Sequence, residues 1–233
     1  MVYDDALGVV ATATEPFGAD IASPGQQDAA GVHAAMLRVG KQAARGQEIA
    51  AIGLSSTWHA MGVCDEALVP ITPVFTWEYA QAAPLSAAMR RDAALTERLY
   101  RATGCMPNVT YPRQTLLYLK EQGLSLDGRG LITQGGYSFL QMTGRYQESV
   151  NAQSGSGLIR LANRQYDPHV LELLGIKASQ LGELTTYRDA APLLPGAAQA
   201  LGLLPGTPVV PAHSDGACNQ IGSGCASPQR MTL

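Results

Sequence analysis

Residues 49–59 read IAAIGLSSTWH, an aliphatic and small-residue run that stops abruptly at two serines, a threonine, a tryptophan and a histidine. Ile49 to Leu54 has the length and composition of a buried strand. Upstream, Val9 to Thr14 reads as a strand, followed by a polar, Pro-containing stretch from Ala19 to Gln27. Val32, Met36, Val39 and Ala43 then recur at helical spacing until Gly46 stops the helix. Strand, loop, helix and strand follow one another, the order expected of a layered α/β domain.

The alternation continues downstream. Ala82 to Thr103 is expected to be one helix, with Leu85, Met89, Leu95, Leu99 and Ala102 on its apolar face and Gly104 as its stop. Thr115 to Gln122 reads as another helix, residues 131–144 as a strand entering a short helix, and residues 156–161 as a strand. Short helices are expected within residues 167–176 and 195–203, then a strand within residues 207–212. No stretch is long enough to serve as a flexible tether between two halves.

Composition narrows the partners. Of 233 residues 46% are hydrophobic and 15% charged, values typical of an ordinary globular protein. The net charge of −3 arises from interspersed signs, so no basic stripe faces nucleic acid and no polybasic tail seeks anionic lipid. Asp4 and Asp5 stand where a secretory leader would be basic, and no apolar run reaches the length of a membrane span. The four cysteines lack C-x-x-C spacing, so neither a disulfide framework nor a zinc site is expected and a cytoplasmic location fits.

In an open α/β sheet, polar groups beyond the carboxyl ends of strands face the crevice where ligands bind. Two places qualify. Trp58 and His59 offer a flat apolar face beside a hydrogen-bonding edge, suited to a polyhydroxylated ligand, although a half-buried tryptophan beside a satisfied histidine gives the same pattern. The second place is Asp215, in the stretch VVPAHSDGACNQIGSG at 209–224. Its carboxylate suits the N-cap of the following helix and equally suits taking a proton from a substrate hydroxyl, two compatible roles. Gly216 and Ala217 would leave room for a substrate to approach the backbone. Phosphate-binding loops are missing: there is no G-x-x-x-x-G-K-[ST], and Gly222-Ser223-Gly224 lacks the rest of a dinucleotide fingerprint.

Taken in order, AIGLSSTWHAMGVCDEALVPITPVFTW at 51–77, TGCMPNVTYPRQTLLYLKEQ at 103–122, YSFLQMTGRY at 137–146 with SGSGL at 154–158, YDPHVLELLGI at 166–176 and residues 201–224 resemble the N-terminal domain of the FGGY family of carbohydrate kinases. The likeness is nearest the xylulokinase and gluconate kinase branches. It implies an actin-like, ribonuclease H-like α/β fold with a mixed sheet flanked by helices. It implies ATP-dependent phosphorylation of a sugar or sugar acid, with a non-catalytic sugar-binding remnant as the alternative. By the same resemblance Asp215 is the catalytic base, and Trp58, His59, Trp77, Asp215 and Gly216 contact the sugar.

The family's ATP and Mg2+ are expected to be held mainly by a second domain, with no firm nucleotide or metal site in this chain. Residues 1–233 are expected to form one sugar-binding domain without the family's first strand, its D-x-G-T phosphate loop and the second domain, and to be unable to complete catalysis alone. Tyr79, Gln81 and Thr115 replace an aspartate, an arginine and a lysine common in the family. Expected partners are a small sugar or sugar acid, with a homodimer allowed, and neither nucleic acid nor membrane.

Overall fold

The computed structural model describes residues 1–225, 227 and 229–232. Nine α-helices are formed among them: α1 (Ala29–Ala44), α2 (Ala83–Arg90), α3 (Ala93–Thr103), α4 (Pro112–Glu121), α5 (Gln134–Thr143), α6 (Val150–Ser154), α7 (Pro168–Leu174), α8 (Pro195–Leu201) and α9 (Asp215–Gly222). The start of α1 follows from Asp28, whose carboxylate accepts the N–H groups of Ala30 and Gly31. Helix α7 starts in the same way, with Asp167 accepting from His169 and Val170 and Pro168 occupying the first turn.

The strands are short and divided among small sheets. The central one has the order Ala191–Pro192, Pro208–Ser214, Ile52–Ser56; its first pairing is antiparallel and its second parallel. Beside it lies the parallel pair Gln147–Ser149 and Glu183–Thr185. One apolar cluster joins the sheet to its helices through Phe139, Met142, Leu193, Leu201 and Val209, with Met36, Ile52 and Leu54 packed on it. A second gathers Leu99, Leu116, Leu131, Leu158, Val170 and Leu174 beneath α3, α4 and α7. Each large apolar side chain so buried contributes roughly 1.5–3 kcal/mol.

Three expectations need correction. The predicted helix Ala82–Thr103 is two helices, because Asp92 interrupts it and accepts the Leu95 N–H at 3.0 Å as the cap of α3. The strand expected at Ile49–Leu54 runs instead from Ile52 to Ser56, where Pro208–Ser214 supplies a ladder partner. Its residues alternate between half-buried and exposed, because successive side chains point to opposite faces, and the half-buried face carries Ile52 and Leu54 against the apolar cluster. The strand expected at Val9 to Thr14 covers only Val9–Ala11, where Val2–Tyr3 pairs with it antiparallel.

The start of α5 rests on an unusual group. Glu148 is buried, and its carboxylate accepts the Thr133 N–H at 2.8 Å and the Thr133 hydroxyl at 2.9 Å. Thr133 in turn caps α5 by accepting the Gly136 N–H at 2.9 Å. Burial pushes the Glu148 carboxyl up to about 7, against the bonds from Thr133 that favour its ionised form. The folded state therefore holds this proton where the unfolded chain, near the ordinary 4.5, has released it. The contribution of Glu148 to stability should be greatest below pH 4.5, fall as pH rises towards about 7 and level off above. Glu148→Gln should flatten that slope in urea titrations run across this range, and an unchanged slope would assign it to other groups.

Candidate functional site

Parallel pairing sets the site. His213 stands opposite Ser55 and Ser214 opposite Ser56, so both chains leave the sheet at the same end. The register slips between Val210 and His213, where Pro211 and Ala212 together face Leu54. Pro211 has no N–H for the ladder, so an extra residue is accommodated there and the last residues of the strand are re-aimed. Thr57–Trp58–His59 and Asp215 emerge side by side, and the Trp58 backbone N–H donates to Asp215 Oδ1 at 3.2 Å.

Asp215 itself is exposed. It is not the cap of α9, as the sequence suggested, but its first residue; the cap position is Ser214. Ser214 makes no side-chain cap bond, because its hydroxyl donates to Asn151 Oδ1 at 2.8 Å. The Asp215 carboxylate accepts the N–H of its neighbour Gly216 at 2.7 Å. Gly216 is not open space, since a Cβ there would lie 3.0 Å from Trp58 Cε3.

Trp58 and His59 stack with centroids 4.4 Å apart at 16°, and Tyr111 meets the His59 ring edge-on at 5.4 Å. His59 holds a left-handed backbone at φ 54°, which is uncommon for a residue with a Cβ and marks local strain. Its Nδ1 lies 2.7 Å from the Gly155 carbonyl oxygen. A carbonyl only accepts, so Nδ1 carries the proton and Nε2 of the neutral ring is left as an acceptor for a ligand hydroxyl. Burial lowers the His59 pKa, opposed by the Gly155 carbonyl and by the Asp215 charge, which favours the neutral form near pH 7.

The wall behind this pair is glycine because nothing larger fits. A Cβ on Gly155 would lie 2.3 Å from Trp58 Nε1 and 2.5 Å from His59 Cε1. Arg113, fully buried, ties the same loop down by donating to the carbonyls of Gly157 at 3.2 Å and Cys105 at 2.8 Å. Burial lowers its pKa to about 10, still high enough to keep the charge that strengthens these bonds.

Trp58, His59, Asp215 and Gly216 are thus brought together. Trp77 is not among them: it is 54% exposed, and no aromatic pairing or hydrogen bond links it to the others among the described residues. Tyr79 packs at a tilt against Phe75 and Thr115 is buried in α4, so neither faces the cluster through a described contact. Tyr111, Gly155 and Asn151 were missed in the sequence. The only signal for Gly155 was its place in SGSG, and Tyr111 and Asn151 carried none. A cavity of about 350 Å³ beside the free edge of Ile52–Ser56 is lined by Phe17, Val32, Met36, Leu54, Ser56 and Gln134. Trp58, His59 and Asp215 stand outside its walls, on an open face. No group of three or more His, Cys, Asp or Glu gathers to hold a metal among the described residues. No helix among them is long and apolar enough to cross a membrane.

A parallel strand pair thus brings an aspartate and a tryptophan–histidine stack side by side at one end of the sheet of an α/β domain. Residues 2–222 match the N-terminal domain of the FGGY family of carbohydrate kinases, and the chain belongs to that family. The gluconokinase of Bacillus subtilis (strain 168) is 24% identical over 179 residues, covering 76% of this chain and 35% of its own length. A ligand-bound xylulose kinase from Lactobacillus acidophilus superposes with a TM-score of 0.88 at 22% identity, over 95% of this chain and 46% of its own. A Plasmodium falciparum glycerol kinase with ADP gives 0.82 at 13% identity, over 98% and 48%. The fold is therefore the actin-like, ribonuclease H-like one of these sugar kinases, and the chain spans less than half the length of these relatives.

Gly155→Ala should displace the Trp58–His59 stack at a cost of about 1–3 kcal/mol. In a Trp77→Phe background Trp58 is the sole tryptophan, and a red-shifted emission with a lowered melting temperature is expected. Unchanged emission would show that the loop yields without moving the stack.

Proposed function

We propose that this chain supplies the sugar-binding half of an ATP-dependent carbohydrate kinase acting on a sugar or sugar acid, with Asp215 as general base. The contact between Trp58 N–H and Asp215 Oδ1 carries the reading, because it ties the proton acceptor to the residues that would orient a hydroxyl. The gluconate and xylulose specificities named for the similar kinases support a polyol or sugar-acid substrate. In this reading residues 1–233 act as one sugar-binding unit, and ATP with Mg2+ is held by parts of the enzyme outside it.

Trp58 and its stacked His59 form the sugar-side wall, and His59 Nε2 accepts a hydrogen bond from a sugar hydroxyl. The reacting hydroxyl sits against the Asp215 carboxylate. As its oxygen bonds to the γ-phosphorus of ATP and the bond to the β-phosphate oxygen breaks, the hydroxyl proton passes to Asp215, leaving the sugar phosphate and ADP. A carboxylate is a weak base beside an alcohol, so the transfer comes late and Asp215 contributes placement more than basicity. Its exposed position becomes productive when a second domain closes over the open face and excludes water. Gly216, which packs on Trp58, joins the sugar contacts in this reading, and Trp77 joins them when closure brings it inward.

In the complete enzyme Asp215→Asn should lower kcat by about 10²–10⁴ with sugar affinity within a few-fold, and near-normal turnover would reject the base assignment. The 233-residue chain alone should not phosphorylate sugar with ATP; robust turnover by it would overturn the division of labour proposed here. Thermal-shift screening against xylulose, gluconate, ribulose, fuculose and glycerol should single out the substrate, and Trp58→Ala should abolish that shift. A shift that survives Trp58→Ala would return Trp58 to a packing role.

A further inference from the structure

Helix α6 is only five residues long, yet it touches both halves of the candidate site. Its cap residue, Ser149, donates its hydroxyl to the Ala212 carbonyl at 2.6 Å, at the slip in the strand that leads to Asp215. Two residues on, Asn151 Oδ1 accepts both the Ser214 N–H and the Ser214 hydroxyl, each at 2.8 Å. Beyond the other end of the helix, the Gly155 carbonyl takes the His59 Nδ1–H at 2.7 Å. The loop after it is held by Arg113, through its N–H to Ser156 O at 3.0 Å and its guanidinium to Gly157 O.

The last strand residue before Asp215 therefore has both its N–H and its hydroxyl bound to one side-chain oxygen. An amide oxygen has two lone pairs, and these two donors use them both. We propose that Asn151 is a positioning residue for Asp215: it fixes Ser214 on the sheet side and so aims the next residue's carboxylate at the Trp58 N–H. This inference rests on the reading of Asp215 as the base. Ser149 and Asn151 grip the strand that presents the proton acceptor while Gly155 grips His59, so α6 sets the distance between base and sugar wall. Removing the Asn151 oxygen leaves two donors without a partner and lets the start of α9 rotate.

The test uses the Trp58 amide proton, followed by NMR from pH 3 to 7. In the wild-type chain its shift should move across this range, and Asp215→Asn should abolish the movement, separating it from any effect of the stacked His59. Asn151→Ala should at least halve that movement while the remaining resonances keep native dispersion. Asn151→Asp keeps an acceptor oxygen at the same reach and should restore the movement. Full-sized movement in Asn151→Ala overturns the proposal, as does failure of Asn151→Asp to restore it. If Asn151→Ala does not fold, Ser214→Ala, which deletes one of the two donors, is read in its place: reduced movement supports the proposal and unchanged movement overturns it. In the complete enzyme Asn151→Ala should lower kcat at least tenfold with KM within threefold, and equal changes in both would overturn the positioning role. Failure of the kinase reading would appear separately, as wild-type enzyme without sugar-dependent ATP turnover and an intact amide response.

Discussion

The parallel pairing of Ile52–Ser56 with Pro208–Ser214 is the constraint on which the rest of this molecule depends. It joins segments 157 residues apart, as counted between Trp58 and Asp215, and it is the reason that those two residues meet. Parallel strands require a long crossover, and everything between them, from α2 to α8, is that crossover. The helices α1, α5 and α8 pack around the pair and bury Phe139, Leu201 and Val209 in a common cluster. The irregular step at Pro211 and Ala212 sets two residues of one strand opposite one of the other, and pairing resumes at His213 and Ser214 just before Asp215.

Around this end several polar groups are paired, though not all of them. Ser214, Asn151, Ser149 and Ala212 satisfy one another, and Glu148, Thr133 and Gly136 do the same at the start of α5. Trp58 Nε1 and both side-chain polar atoms of Gln153 remain buried without a hydrogen-bond partner. Both residues adjoin the glycine loop that backs His59, so rigidity there comes from close packing and from the Arg113 clamp more than from a saturated network. An elevated Glu148 carboxyl couples the same region to pH through the stability of the α5 start.

The α/β class and most elements were legible from apolar periodicity: α1, α7, α8 and the strand at Pro208 all fall where spacing and caps place them. Boundaries failed where a side chain decided them. Asp92 splits one predicted helix by capping the second half, and Ser214 rather than Asp215 takes the cap position because its neighbour in space is Asn151. Trp58, His59 and Asp215 were singled out as groups beyond strand ends, with Gly216 as the small residue beside Asp215, and the structure brings these four together. Trp77 was carried by resemblance, and in the structure it stands apart and exposed.

By itself the sequence determined the alternation of strands and helices, the stops at Gly46 and Gly104, and the family, because these depend on local spacing and on motif order. Only the tertiary structure decided which groups share the site. Asn151, Gly155, Tyr111 and Arg113 act across the parallel pair and the crossover, by contacts that have no period along the chain. A hydrogen bond between residues that are distant in sequence leaves no local trace, so the partners of Asp215 and His59 became visible only when the strands were paired.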